Sequence, residues 1–118
     1  MTVDRLSGAL GGAITTMSEY AILVDGVITA VPDVLTWARW FENSDRRIAF
    51  TEVDGVRIST VFLGLNHAFR DDVPPLWFET MVFGGEHDEF MQRYTTLEDA
   101  MHGHERVVAM VRANPAVG

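Results

Sequence analysis

Glu79 and His104 are the two side chains whose type and setting come closest to acid–base chemistry. Glu79 lies in Leu76-Trp-Phe-Glu-Thr-Met-Val-Phe83, a run rich in aromatic and β-branched residues. Strand alternation there predicts one face of Trp77, Glu79, Met81 and Phe83 and another of Leu76, Phe78, Thr80 and Val82, which leaves the carboxylate among apolar neighbours. His104 belongs to a helical stripe of Leu97, Ala100, Met101, His104, Val107, Val108 and Val111, so it faces a core and His102 faces out. Residues two apart on a helix cannot chelate one metal as an i, i+4 pair does, so His102 and His104 make no metal site. A histidine on an apolar stripe reads as a satisfied core residue, or through its near-neutral titration as a base or switch. If the helix lies on the face of Glu79, the two would pair. No nucleophile accompanies them, and the residues assign no catalytic group beyond these two candidates.

A second gathering of polar side chains lies in Asn66-His-Ala-Phe-Arg-Asp-Asp-Val-Pro-Pro75, where His67, Arg70, Asp71 and Asp72 fall between two strong strand signals. A connection of about ten residues exceeds the usual hairpin loop and reads as a partner or ligand loop, or as a solvated link stiffened by two prolines. His87 beside Glu86, Asp88 and Glu89 superficially suggests a metal loop, but adjacent acids on a turn are ordinarily just solvated. The chain has no phosphate-binding glycine loop, dinucleotide fingerprint or zinc spacing, and no cofactor or metal is expected.

The elements that must position these groups centre on Arg47-Ile-Ala-Phe-Thr-Glu-Val53, Asp54-Gly55 and Val56-Arg-Ile-Ser-Thr-Val-Phe-Leu-Gly-Leu65. Asp-Gly between two such runs predicts a type I′ hairpin, because both central residues need positive φ. The two-residue loop sets Val53 opposite Val56, Glu52 opposite Arg57, Thr51 opposite Ile58, Phe50 opposite Ser59 and Ala49 opposite Thr60. Neither face is wholly polar, with Val53, Val56, Ile58 and Phe62 on one and Ile48, Phe50, Val61 and Leu63 on the other, so the second strand should lie centrally in a sheet.

Asp25-Gly26 predicts another tight hairpin, or an irregular second arm running to Pro32. Asp33 then caps a helix whose Val34, Trp37, Ala38 and Phe41, widened by Leu35 and Trp40, read as core packing. Glu89 to Thr95 reads as an edge strand. Thr95-Thr-Leu-Glu98, or the overlapping Thr96-Leu-Glu-Asp99, starts the last helix, and Asn114-Pro115 stops it. Residues 1–19 are small and glycine-interrupted, without the basic start or apolar core of a secretory signal, and read as a loose N-terminal arm or one that docks on a neighbour. Met17 reads as an alternative start, and residues 20–118 as one domain.

Composition narrows the function classes. The chain of 118 residues can bury an ordinary single core without a staple, and it has no cysteine for a disulfide, a thiolate site or a thiol nucleophile. All nine basic residues are Arg, a bias that suggests a GC-rich genome. A net charge of −8 opposes binding to nucleic acid, an anionic membrane or acidic partners. No segment reaches the roughly 20 apolar residues of a membrane span.

Asp45-Arg-Arg-Ile48, Val56 through His67, Pro75-Leu-Trp-Phe-Glu-Thr-Met-Val-Phe-Gly-Gly85 and Arg93-Tyr-Thr-Thr-Leu-Glu-Asp-Ala100, with the helix Trp37-Ala-Arg-Trp-Phe41, resemble an uncharacterised family of small proteins of actinobacteriophages and actinobacterial prophages. The resemblance covers Tyr20 to about Val111. It implies no established activity. It implies a phage accessory protein made in the host cytoplasm, of a kind that acts by binding a protein.

The expected architecture is an α+β domain, a mainly antiparallel sheet of about five strands with two helices packed on it. The leading expectation for function is protein–protein interaction with a host or phage protein, or self-association as a homo-oligomer. The alternative is a small enzyme or ligand-binding protein using Glu79, His67 and His104, which requires the three to converge. Acidic mimicry of DNA would require carboxylates aligned on one face, and they are scattered along the sequence.

Overall fold

The computed structural model describes residues 19–68 and 72–113. The N-terminal arm up to residue 18, Arg70, Asp71 and the Asn114-Pro115 stop lie outside the described residues. Six strands and two helices follow in the order β1 (Ala21–Val24), β2 (Val27–Ala30), α1 (Val34–Asn43), β3 (Arg47–Val53), β4 (Val56–Phe62), β5 (Phe78–Phe83), β6 (Met91–Tyr94) and α2 (Leu97–Ala113). The fold is α+β. Its strands form two antiparallel sheets, a β1-β2 hairpin and a four-stranded sheet of order β3-β4-β5-β6.

Both Asp-Gly turns form as their residue types require. Asp25 and Asp54 have φ of 50°, and Gly26 and Gly55 have φ of 81° and 85°. The β3-β4 register is the one the two-residue loop dictates, from Val53 opposite Val56 to Ala49 opposite Thr60. Beyond Ala49 the ladder breaks, with Arg47 opposite Val61, so Ile48 is the extra residue of a bulge. The bulge turns Ile48 from the face of Phe50 onto the core cluster around Phe62 and Phe78.

The inner face of the four-stranded sheet is covered by α2, which packs on all four strands. Two apolar clusters fill the space between. One gathers Ala21, Phe62, Trp77, Phe78, Tyr94 and Ala100, and the other Val56, Ile58, Val82, Val107, Val108 and Val111. Trp77 is buried here instead of sharing the face of Glu79, because β5 begins only at Phe78 and the chain before it does not alternate. Leu23, Ile28 and Trp40 close the first cluster from the side of β1, β2 and α1.

Helix α1 starts as predicted. The Asp33 carboxylate accepts from the Leu35 amide at 3.1 Å and the Thr36 hydroxyl at 2.8 Å, and these bonds, that from Thr36 foremost, hold it below the ordinary aspartate range. Its aromatic residues differ from the expected core. No α1 residue is fully buried, and Leu35 is 64% exposed. Trp37 meets the rings of Tyr20 and Phe41 at a tilt, with centroids 5.2 and 4.8 Å away, and Trp40 meets Phe62 edge-on at 5.7 Å. The helix lies beside the end of the sheet and not across it, so its aromatics are half-buried.

Helix α2 begins from the second of the two overlapping caps, with Thr96 Oγ1 accepting from the Asp99 amide at 3.0 Å. Its inward stripe is Ala100, Gly103, His104, Val107, Val108 and Val111, while Met101 is exposed. Gly103 replaces the expected Met101 because the Tyr94 ring rests on the helix there. A Cβ at Gly103 would overlap Cε1, Cζ and the hydroxyl oxygen of that ring.

Gly55 and Gly103 therefore carry opposite tests of the fold. Nothing lies within 4 Å of a Cβ at Gly55, so Gly55→Val should be destabilising by about 1 kcal/mol or more through backbone strain alone. Gly103→Ala should gain about 1 kcal/mol of helix propensity but lose about 1–3 kcal/mol to overpacking, for a net loss. Urea unfolding midpoints at constant slope check both.

Candidate functional site

Each strand of the larger sheet sends one hydroxyl into the layer between the apolar clusters. Thr51 comes from β3, Thr60 from β4, Thr80 from β5 and Tyr94 from β6. Thr60 and Thr80 stand directly opposite in the ladder and are fully buried, because alternation that points Ile58, Phe62, Phe78 and Val82 inward points them inward as well. From above, α2 inserts His104, which is 1% exposed.

These side chains form one continuous hydrogen-bonded chain. His104 Nε2 lies 2.9 Å from Thr51 Oγ1, and Nδ1 lies 2.8 Å from Thr60 Oγ1. Thr60 Oγ1 bonds Thr80 Oγ1, and the Tyr94 hydroxyl donates to Thr80 Oγ1 at 3.0 Å. A single direction of donation satisfies the buried members: Tyr94 to Thr80, Thr80 to Thr60, Thr60 to His104 Nδ1, and His104 Nε2–H to Thr51. The neutral ring fits this chain and the imidazolium does not. With both nitrogens donating, the chain would have to reverse, Thr60 donating to Thr80 and Thr80 to Tyr94, and the Tyr94 proton would lose its acceptor in the chain. Burial pushes the His104 ring below its ordinary value, against the opposing pull of the Glu105 carboxylate. Both ring nitrogens are engaged, so His104 offers a substrate no free lone pair.

Glu79 does not meet His104. Adjacent strand residues point to opposite faces, so Thr80 enters the core under α2 while Glu79 lies on the outer face. There its Oε2 accepts from Arg93 Nε at 3.0 Å, and Arg93 stands directly opposite in the β5-β6 ladder. The isolated carboxylate expected among apolar neighbours is thus an ion-paired one. His67 stands apart again. Its Nδ1 lies 3.0 Å from the Leu65 carbonyl, at the mouth of the loop, where Asn66 Oδ1 accepts from the amides of Ala68 and Leu76. Asp72 is exposed. The structure does not bring Glu79, His67 and His104 together. The turn holding His87 is closed by Asp88, which accepts from the Gly84 amide at 2.7 Å. Among the described residues no group of three or more His, Asp and Glu side chains could hold a metal ion.

The outer face of the sheet has an organisation that the sequence reading did not single out. Ladder registers align Phe50, Ser59, Met81 and Met91 in one row across the four strands. Arg47, Val61, Glu79 and Arg93 form the row on one side, and Glu52, Arg57 and Phe83 the row on the other. Phe50 and Met91 are each 43% exposed. Arg47 lies over the Phe50 ring at 4.6 Å and Arg57 over the Phe83 ring at 5.5 Å. Among the described residues both helices and the β1-β2 hairpin pack toward the inner face, leaving this one open. The hairpin register predicted its first two columns, but its full width needed the pairing of β5 and β6.

Comparison of the chain with protein-family models, with curated proteins and with solved structures finds no match in any of the three.

The histidine chain sets a pH dependence. Because the folded-state value of His104 is lowered, its contribution is fully present above the unfolded value of about 6.5 and is lost as pH falls toward the folded value. Urea titrations between pH 8 and pH 5 should show this decline in the native chain. His104→Leu should be less stable throughout, by about 1–3 kcal/mol for the unmet hydroxyls, and should lack that component of the slope.

Proposed function

We propose that this chain is a small accessory protein, of the kind carried by actinobacteriophages, that acts in the host cytoplasm by binding protein and not by catalysis. The open face of the four-stranded sheet carries this reading. It sets an apolar central row between charged rows, the anatomy of a protein interface with its dry centre and polar rim. Arg and aromatic residues, the types enriched at binding hot spots, are stacked on one another there. The ligand-binding alternative loses its support, since its three side chains stand in separate settings with His104 sealed inside. The phage context rests on the resemblance in sequence, and the expectation against nucleic acid rests on the net charge of −8.

Phe50→Glu places a charge at the β3 end of the apolar row without touching the core. It should leave the unfolding midpoint nearly unchanged and abolish association, whether with itself by sedimentation or with a host protein in affinity capture. Association that survives Phe50→Glu at full strength would reject this face as the interface.

A further inference from the structure

The outer face is complementary to itself. Of its charged groups, Arg47, Arg57 and Arg93 outnumber Glu52 and Glu79, so it is weakly positive on a chain whose net charge is −8. Two acidic copies therefore meet here with less repulsion than their net charge alone would give. We propose that the face binds a second copy of this chain through a two-fold axis lying along the row of Phe50, Ser59, Met81 and Met91. This deepens the protein-binding reading above and rests on it.

The choice of axis follows from charge. A two-fold along the row leaves each strand over its own counterpart and exchanges the two flanking rows. Arg47 and Glu52 occupy those rows on the same strand, β3, so Arg47 of each copy comes opposite Glu52 of the other. The alternative two-fold, parallel to the strands, would set β3 over β6 and bring Arg47 opposite Arg93, cation against cation. Face-to-face sheets stand about 10 Å apart, a gap that an extended Arg and Glu bridge while Phe50, Met81 and Met91 fill the middle. An isologous contact of this kind closes on itself and gives a dimer, not a fibre.

The symmetry dictates an experiment on the full chain. Arg47→Glu sets acid against acid, and Glu52→Arg sets base against base, so each variant alone should associate at least about tenfold more weakly than the native chain in sedimentation equilibrium. Mixed in equal amounts, the two variants face each other with opposite charges at both positions and should regain the dimer. The double variant should regain it alone. Arg47→Gln and Glu52→Gln, which remove charge without reversing it, should weaken association less, and unfolding midpoints of all variants confirm an intact fold. A native chain that stays monomeric, single variants that dimerise like it, or a mixture that fails to restore the dimer would each overturn the two-fold. Capture of a different protein, lost in Phe50→Glu while the native chain is monomeric, would leave the protein-binding reading standing and this one rejected. A monomer that captures no other protein, and in which Phe50→Glu alters only thermal stability, would make the face part of the chain's own packing and reject both.

Discussion

The hydrogen-bonded chain from Thr51 through His104, Thr60 and Thr80 to Tyr94 ties every strand of the larger sheet to the C-terminal helix. Thr60, Thr80 and His104 are buried against the two apolar clusters, where an unmet hydroxyl or ring nitrogen would cost about 1–3 kcal/mol. That penalty makes the arrangement specific. Sliding α2 by a turn, or any strand by two residues, would keep apolar groups against apolar groups but would leave polar atoms stranded, so the network selects one registration among several that hydrophobic burial alone would accept. Gly103 belongs to the same constraint. It lets the Tyr94 ring approach the helix backbone, and that approach carries the hydroxyl to Thr80.

Fixing the helix on one side of the sheet determines what the other side can be. With α2, α1 and the β1-β2 hairpin gathered toward the inner face, the outer face among the described residues is left to its own side chains. They are neither a core nor an ordinary solvated surface. Exposed Phe50 and Met91 lie in line with Met81, flanked by arginines that cover aromatic rings and by the Glu79–Arg93 pair. Such a face keeps a sheet soluble through its charged rows and still provides apolar area for a contact. The histidine whose position in the sequence drew attention to chemistry is buried under α2 with both ring nitrogens hydrogen-bonded, and the face proposed for binding lies on the opposite side of the sheet.

Turn chemistry and local periodicity were legible in the sequence. Asp-Gly between β-rich runs determines a two-residue turn, and the turn determines the register of the pairs that follow, because only residues able to adopt positive φ allow that geometry. The inward direction of His104 followed likewise from helical spacing, and the cap at Asp33 from its carboxylate. Several features were not legible because they depend on residues distant in the chain. The bulge at Ile48, the exchange of Gly103 for Met101 on the inner stripe, the half-exposure of the α1 aromatics and the assignment of Glu79 to Arg93 each arise where one element meets another. A period shows which residues share a face, but not which of two faces a helix will cover. That choice was made by packing, when α2 settled over the threonines and not over Glu79.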